Sequence, residues 1–238
     1  PDILPANIIF EKLISPPSKI SSVNLQSITI SLTKIFGIFE ITSHPVVGIN
    51  DSAKRLGIPT VRLDARQAMC EAITRLHDLG HRRIAIIKGD PDHPVSEQRL
   101  TAYRAAFADA GVEYLPELVE TGDFSFESGY EATRRILSRK LRPTAIIAQN
   151  DDMAVGAMSA ARELDFDVPG DLSVVGFDDS EISRVVWPRL TTVRQPVVEM
   201  AHTAADMLLR QLAGEDPGPT VVHTHSLVER LTVAPPPA

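Results

Sequence analysis

The sequence predicts an α/β protein built on parallel sheets, and three observations carry that expectation. From about Pro45 onward, short apolar runs alternate with stretches at helical spacing, as strand–helix–strand units require. Ser173, Val174 and Val175 form an apolar run that leads through Gly176 and Phe177 to two adjacent carboxylates, Asp178 and Asp179. Residues 144–148 form a second apolar run, which delivers Gln149, Asn150, Asp151 and Asp152 ahead of a helical pattern. In open parallel sheets ligands bind just beyond the carboxyl ends of the strands. Both runs therefore place acid and amide groups where a polar small molecule would sit.

Each element follows from local chemistry. Residues 46–49 and 60–63 read as strands, and Asp64 can cap a helix that carries Met69, Ile73 and Leu76 on one face and stops at Gly80. Residues 83–87 give the next strand, and a loop rich in Asp, Pro and His follows. A helix over 96–110 places Leu100, Tyr103 and Phe107 on one side. Residues 118–120 make a short strand, and Ser125 can cap a helix to about residue 138. A helix over 153–164, strands over 172–175 and 191–193, and a helix over 197–212 continue the alternation. Strands near 221–223 and 227–231 precede a Pro-rich tail that is expected to fray. The first forty-odd residues differ: they are rich in Ile and Ser, lack Arg and hold one Ala. The run 28–41 fits a strand or a buried helix, and periodicity leaves both open.

At 238 residues, 43% of them hydrophobic, the chain can bury a sizeable core and is long enough for two lobes. Its formal charge of −7 argues against gripping a phosphate backbone by itself. The single cysteine, Cys70, excludes an internal disulfide, fits a reducing cytoplasmic compartment, and reads as filler on a helix. No apolar run reaches membrane-span length, so no membrane partner is expected. The N-terminus also lacks a signal-peptide pattern.

The order of several blocks resembles the LacI/GalR family of bacterial transcription regulators. These are residues 77–85 (His-Asp-Leu-Gly-His-Arg-Arg-Ile-Ala), Arg99 to Tyr103, Gly122-Asp123-Phe124, Pro143 to Ile146, Asn150-Asp151, Met153 to Ala157, Val174 to Asp179 and Leu190 to Gln195. The resemblance covers roughly residues 45–238. It implies two Rossmann-like lobes of periplasmic-binding-protein type, joined by three crossovers near Arg62, Arg194 and His223. One lobe would hold residues 1–62 and 195–222, the other 63–194 and 223–238. It also implies a homodimer, for which the small residues of the 153–164 helix would allow close approach. No helix-turn-helix precedes the blocks, so operator DNA is expected to be reached only through a head absent from this chain.

The resemblance nominates Arg99, Asp178, Phe124, Asn150, Gln195, Asn50 and Arg62 as ligand-binding residues. Arg99 offers a rigid fork of donors, against the plainer reading of a solvated helix-start arginine. Asp178 accepts hydroxyl protons and complements Arg99 across a polyol, while Asp179 is expected to cap the next turn or face solvent. Asn150 can serve hydroxyls or cap its helix, and the capping role is assigned first to Asp151. Phe124 packs on a ligand's apolar face or simply in the core. Asn50 and Gln195 match cleft positions near the crossovers. Arg62, as a second cleft arginine, favours a ligand with a negative group such as a sugar acid or sugar phosphate; the alternative is a salt bridge to Asp64 or Asp90. His81 reads as structural. His93, His202, His223 and His225 show no metal-ligand spacing, and the acid clusters lack the rest of a phosphoryl-transfer set.

These residues point to the effector-binding and dimerisation core of a LacI/GalR-type repressor, with a sugar or sugar derivative as effector, and no catalytic residue, metal or cofactor. The rival reading is a periplasmic or transport-linked sugar-binding protein. An enzyme finds little support, because there is no Gly-x-Gly-x-x-Gly after a strand, no phosphate loop and no nucleophile elbow.

Overall fold

Apolar strands flanked by amphipathic helices form two sheets in the computed structural model, which describes residues 45–49 and 57–237. The expectations for residues 1–44 and for Asn50 lie outside the described residues. A three-stranded parallel sheet takes the order β1 (Gly48–Ile49), β2 (Thr60–Leu63), β8 (Thr220–His223). The second sheet has six strands, in the order β4 (Val119–Thr121), β3 (Ile84–Lys88), β5 (Ala145–Ala148), β6 (Ser173–Asp178), β7 (Thr191–Arg194), β9 (Ser226–Val228). All its pairings are parallel except β7 with β9. The chain passes from the small sheet to the large one after β2, back after β7, and across again between β8 and β9. The α/β class and the periplasmic-binding-protein-like architecture expected from the sequence are thus present.

The large sheet is covered on both faces, which is why its central strands are apolar almost without interruption. Period-two alternation sorts their side chains. Ile84, Ile86, Ala145, Ile147, Val175 and Phe177 pack with helices α1 (Ala65–Asp78) and α2 (Pro94–Asp109). Ala85, Ile87, Ile146, Ala148 and Val174 pack with α3 (Phe126–Leu137) and α4 (Asp151–Glu163). Asp64 caps α1 by accepting from the Gln67 amide at 3.1 Å, and Ser125 caps α3 by accepting from Ser128 at 3.1 Å. Helix α2 begins two residues before the sequence suggests, because a proline is tolerated in the first turn, where no N–H is needed. A five-residue helix α5 (Glu181–Val185), too short for periodicity to reveal, follows β6. Helix α6 (Val197–Leu212) follows β7.

Helices α3 and α4 use glycine to approach one another. A Cβ on Gly156 would lie 2.1 Å from the Phe126 carbonyl oxygen, and one on Gly129 would lie 2.2 Å from that of Met153. Ala154, Ala157, Ala160 and Ala161 are buried in the same layer. The small residues of α4 therefore serve packing within the chain, and the expectation that they admit a second protomer is corrected.

Candidate functional site

The carboxyl ends of β3, β5 and β6 set the site, and α2 lays Arg99 across them. Arg99 is 4% exposed. Its guanidinium stacks on Phe177 with Cζ 4.1 Å from the ring centroid, and Nη1 donates to the Gln149 carbonyl. Its Nη2 faces Asp178 Oδ1 at 3.9 Å, an ion-pair distance too long for a hydrogen bond. Burial lowers the Arg99 pKa and Asp178 opposes that; a guanidinium keeps its charge throughout. Gln149 is fully buried and locks this corner, accepting from the Gly89 amide at 3.0 Å and donating to the Ser96 carbonyl at 3.2 Å.

Asp178 ends β6 with φ of 115° and Asp179 follows at 55°. Two consecutive non-glycine residues in this region mark local strain of the kind that collects at binding sites. The Asp178 side chain keeps 33% of its surface open and accepts from Gln195 Nε2. Burial raises its pKa to about 6, against the pull of Arg99 and Gln195 and with some help from Asp152. The site therefore holds a partly open carboxyl that titrates near neutrality beside a stacked, buried cation.

Arg62 and Gln195 line a cleft of about 320 Å³ together with Asp64, Gln98, Arg99 and Phe177. Gln195 lies just past the end of β7 and Arg62 within β2, so the two strands that leave each sheet meet here. Arg66 borders the same cleft but is held by Asp109 in a bidentate pair at 2.7–3.1 Å.

Phe124 packs over Gly89, whose amide donates to Gln149. Its φ is 71°, its ring meets His93 edge-on at 5.6 Å, and a Cβ on Gly89 would come within 2.0 Å of that ring. Phe124 thus needs a glycine beneath it and forms a half-buried wall. Its carbonyl accepts from Asn150 Nδ2 at 2.8 Å, while Asn150 Oδ1 caps α4 through the Met153 amide at 3.0 Å. The capping role given to Asp151 belongs to Asn150, whose amide is engaged by protein at both ends.

Asp151 does something the sequence did not disclose. It is fully buried, accepts from Ser180 N at 2.7 Å, Ser180 Oγ at 2.8 Å and Thr192 Oγ1, and lies over Gly176. Burial raises its pKa to about 7 against those donors. It ties the loop after β6 to β7. Asp179 likewise departs from expectation, being neither a cap nor solvent-facing. Its side chain is 1% exposed and is held by Arg184 at 2.9 Å, Arg194 at 2.6 Å and Arg230. Burial pushes its pKa up, but the hydrogen bonds from Arg230, Arg184 and Arg194 win and leave it at about 2. Only side-chain geometry brings those arginines together, since they lie up to 51 residues away in sequence.

His81 is buried and bridges Thr144 Oγ1 and the Ala234 carbonyl, each at 2.8 Å. The carbonyl requires Nε2 to carry the proton, and burial lowers the pKa, so the ring is neutral and structural. Among the described residues, no three His, Cys, Asp or Glu side chains gather as a metal site, and no helix is long and apolar enough to cross a membrane.

A family model described as a periplasmic binding protein-like domain matches residues 73–233. The HTH-type transcriptional repressor CytR of Escherichia coli K12 is 37% identical over 174 residues, which are 73% of this chain and 51% of the relative. The chain thus spans about half the length of such curated relatives. A sugar-binding LacI-family regulator from Escherichia coli, solved in complex with phosphate, superposes with a TM-score of 0.73 at 31% identity, covering 84% of this chain and 74% of that one. A dimeric Lac repressor with a C-terminal deletion gives a TM-score of 0.73 at 30% identity, covering 80% and 68%. With this fold, this order of motifs and these relatives, the chain belongs to the LacI family and comprises its periplasmic-binding-protein-like ligand-binding core.

Proposed function

We propose that this core binds a small polar effector, a sugar or sugar derivative, in the cleft at the crossovers. Binding there governs the activity of a transcription regulator. The observation that carries the reading is Arg99: a buried, stacked guanidinium with one nitrogen turned toward a partly open carboxylate beside an open cleft. A buried charge held this way is costly without partners, and a polyol supplies donors to Asp178 and acceptors to Arg99. Arg62 on the cleft wall extends the acceptable ligands to those bearing a negative group, and the phosphate-bound relative supports that extension. Asn150 contributes by holding Phe124 in place, and Gln195 by holding Asp178.

The lobes of this proposal are residues 1–62 with 195–222, and 63–194 with 223–238, hinged where the chain crosses between the sheets. An effector shifts the lobes only through its different affinity for their two arrangements. The relatives being transcription regulators favours this over the transport-linked reading, and it accords with a cytoplasmic protein without turnover of its ligand. The active species is a homodimer. With α4 occupied by α3, the surface left for it includes Val185 and Trp187, 71% and 75% exposed beside α5.

A thermal-shift screen of sugars, sugar acids and sugar phosphates tests the proposal. A true effector raises the melting temperature with concentration, because it binds the folded form alone. A panel that leaves Tm unmoved at millimolar concentration contradicts it.

A further inference from the structure

Arg99 is the middle of a stripe. Ser96, Arg99 and Tyr103 fall three and four residues apart on α2 and so share one face. All are buried, and the hydroxyls on either side of the guanidinium, Ser96 Oγ and Tyr103 Oη, have no hydrogen-bond partner among protein atoms. Such hydroxyls are rare in folded proteins because each forfeits its hydration without compensation. Here they flank a residue that faces Asp178 and lines the cleft. Tyr103 also lies within electrostatic reach of both Arg99 and Asp178. Burial pushes its phenol above the usual range, so the hydroxyl stays a donor at any working pH.

We propose that Tyr103 is a positioning residue of the effector site: its hydroxyl donates to a buried water held against the Arg99–Asp178 pair, and through that water it orients Asp178. Such a water accepts from Tyr103 and donates to the Asp178 carboxylate, which the 3.9 Å gap between Arg99 and Asp178 leaves incompletely bonded. Three charged groups act on Asp178 in this corner: Arg99 from α2, which favours its ionised form, and Asp152 and Asp151 from α4, which oppose it. The inference rests on the reading of Arg99 and Asp178 as effector-facing, but its test needs no effector.

Tyr103→Phe removes only the hydroxyl and keeps the ring that packs in the core. If the hydroxyl is merely orphaned, the variant is as stable as the wild type or more so, by the same amount at every pH. If it shares an oxygen with Asp178, Tm falls by about 2–4 °C, the shift expected for one hydrogen bond in a chain of this size. That fall vanishes in an Asp178→Asn background. A pH profile sharpens the distinction. Asp178 titrates higher folded than unfolded, so its contribution to stability declines as pH rises through that interval. Losing a donor to the carboxylate extends the decline to higher pH in Tyr103→Phe. A crystal structure of the ligand-free chain should show an ordered water within hydrogen-bond distance of Tyr103 Oη. A pH-independent rise in stability, full additivity with Asp178→Asn, or no oxygen at that position overturns the proposal, whatever the screen for effectors finds.

Discussion

Arg99 and Asp178 stand 3.9 Å apart, near enough to attract and too far to share a proton. The arginine is fixed by Phe177 and Gln149 and the aspartate by Gln195, so neither is free to close the gap. The two charges attract without sharing a hydrogen bond.

Arg99 is also packed inside the fold, stacked on Phe177. Arg99→Ala removes a stacked, buried side chain and leaves the Gln149 carbonyl without its donor. It should lower unfolding free energy by about 2–3 kcal/mol in urea titrations. Asp178→Asn, at a partly open site, should leave stability at pH 7 equal to the wild type or slightly higher, because the neutral amide suits a place that already disfavours charge.

Asp179 should dominate acid sensitivity. Its folded pKa lies below the unfolded value of roughly 4, so its contribution is fully present above that value and is lost as pH falls toward about 2. Asp179→Asn leaves Arg184, Arg194 and Arg230 without their shared acceptor. A loss of about 1–3 kcal/mol at pH 7 is expected, because Arg184 and Arg194 are about half exposed and regain water, with a flatter stability profile between pH 4 and pH 2. Denaturant titrations across that range measure both.

Gly156→Ala should be poorly tolerated although alanine favours helices. The new Cβ would meet backbone atoms of α3 at 2.1 Å, and backbone yields less than a side chain. A loss of about 1–3 kcal/mol or more is expected, read as a lowered urea midpoint with unchanged slope.

Trp187 is the only tryptophan in the chain and is 75% exposed, so its fluorescence reports directly on the proposed dimer. Its emission should shift to the blue with rising protein concentration, in step with dimerisation seen by sedimentation. Val185→Asp, which keeps the fluorophore, should abolish both. A wild-type chain that remains monomeric at micromolar concentration, with water-like Trp187 emission, contradicts the dimer.

Much of the fold was legible because parallel strands buried on both faces leave apolar runs, and caps such as Asp64 and Ser125 mark helix starts. The strand-end placement of Asp178 and Gln149 was visible for the same reason. What the sequence could not disclose were relationships between side chains distant along the chain. Asp179 looked like a turn residue until Arg194 and Arg230 closed on it. Asn150 and Asp151 are adjacent, polar and equally suited to capping, and only the third dimension gives one the cap and the other the latch to Ser180 and Thr192. The small residues of α4 signalled close approach but did not say to what.

The most direct test of the account is calorimetry with the effector found by thermal shift, comparing wild type with Asp178→Asn. Loss of the charged acceptor should weaken binding by about 2–4 kcal/mol, roughly thirty- to a thousand-fold, while the folded state persists. An Asp178→Asn variant that folds normally and binds the effector as tightly as the wild type would show that the Arg99–Asp178 pair does not face the ligand.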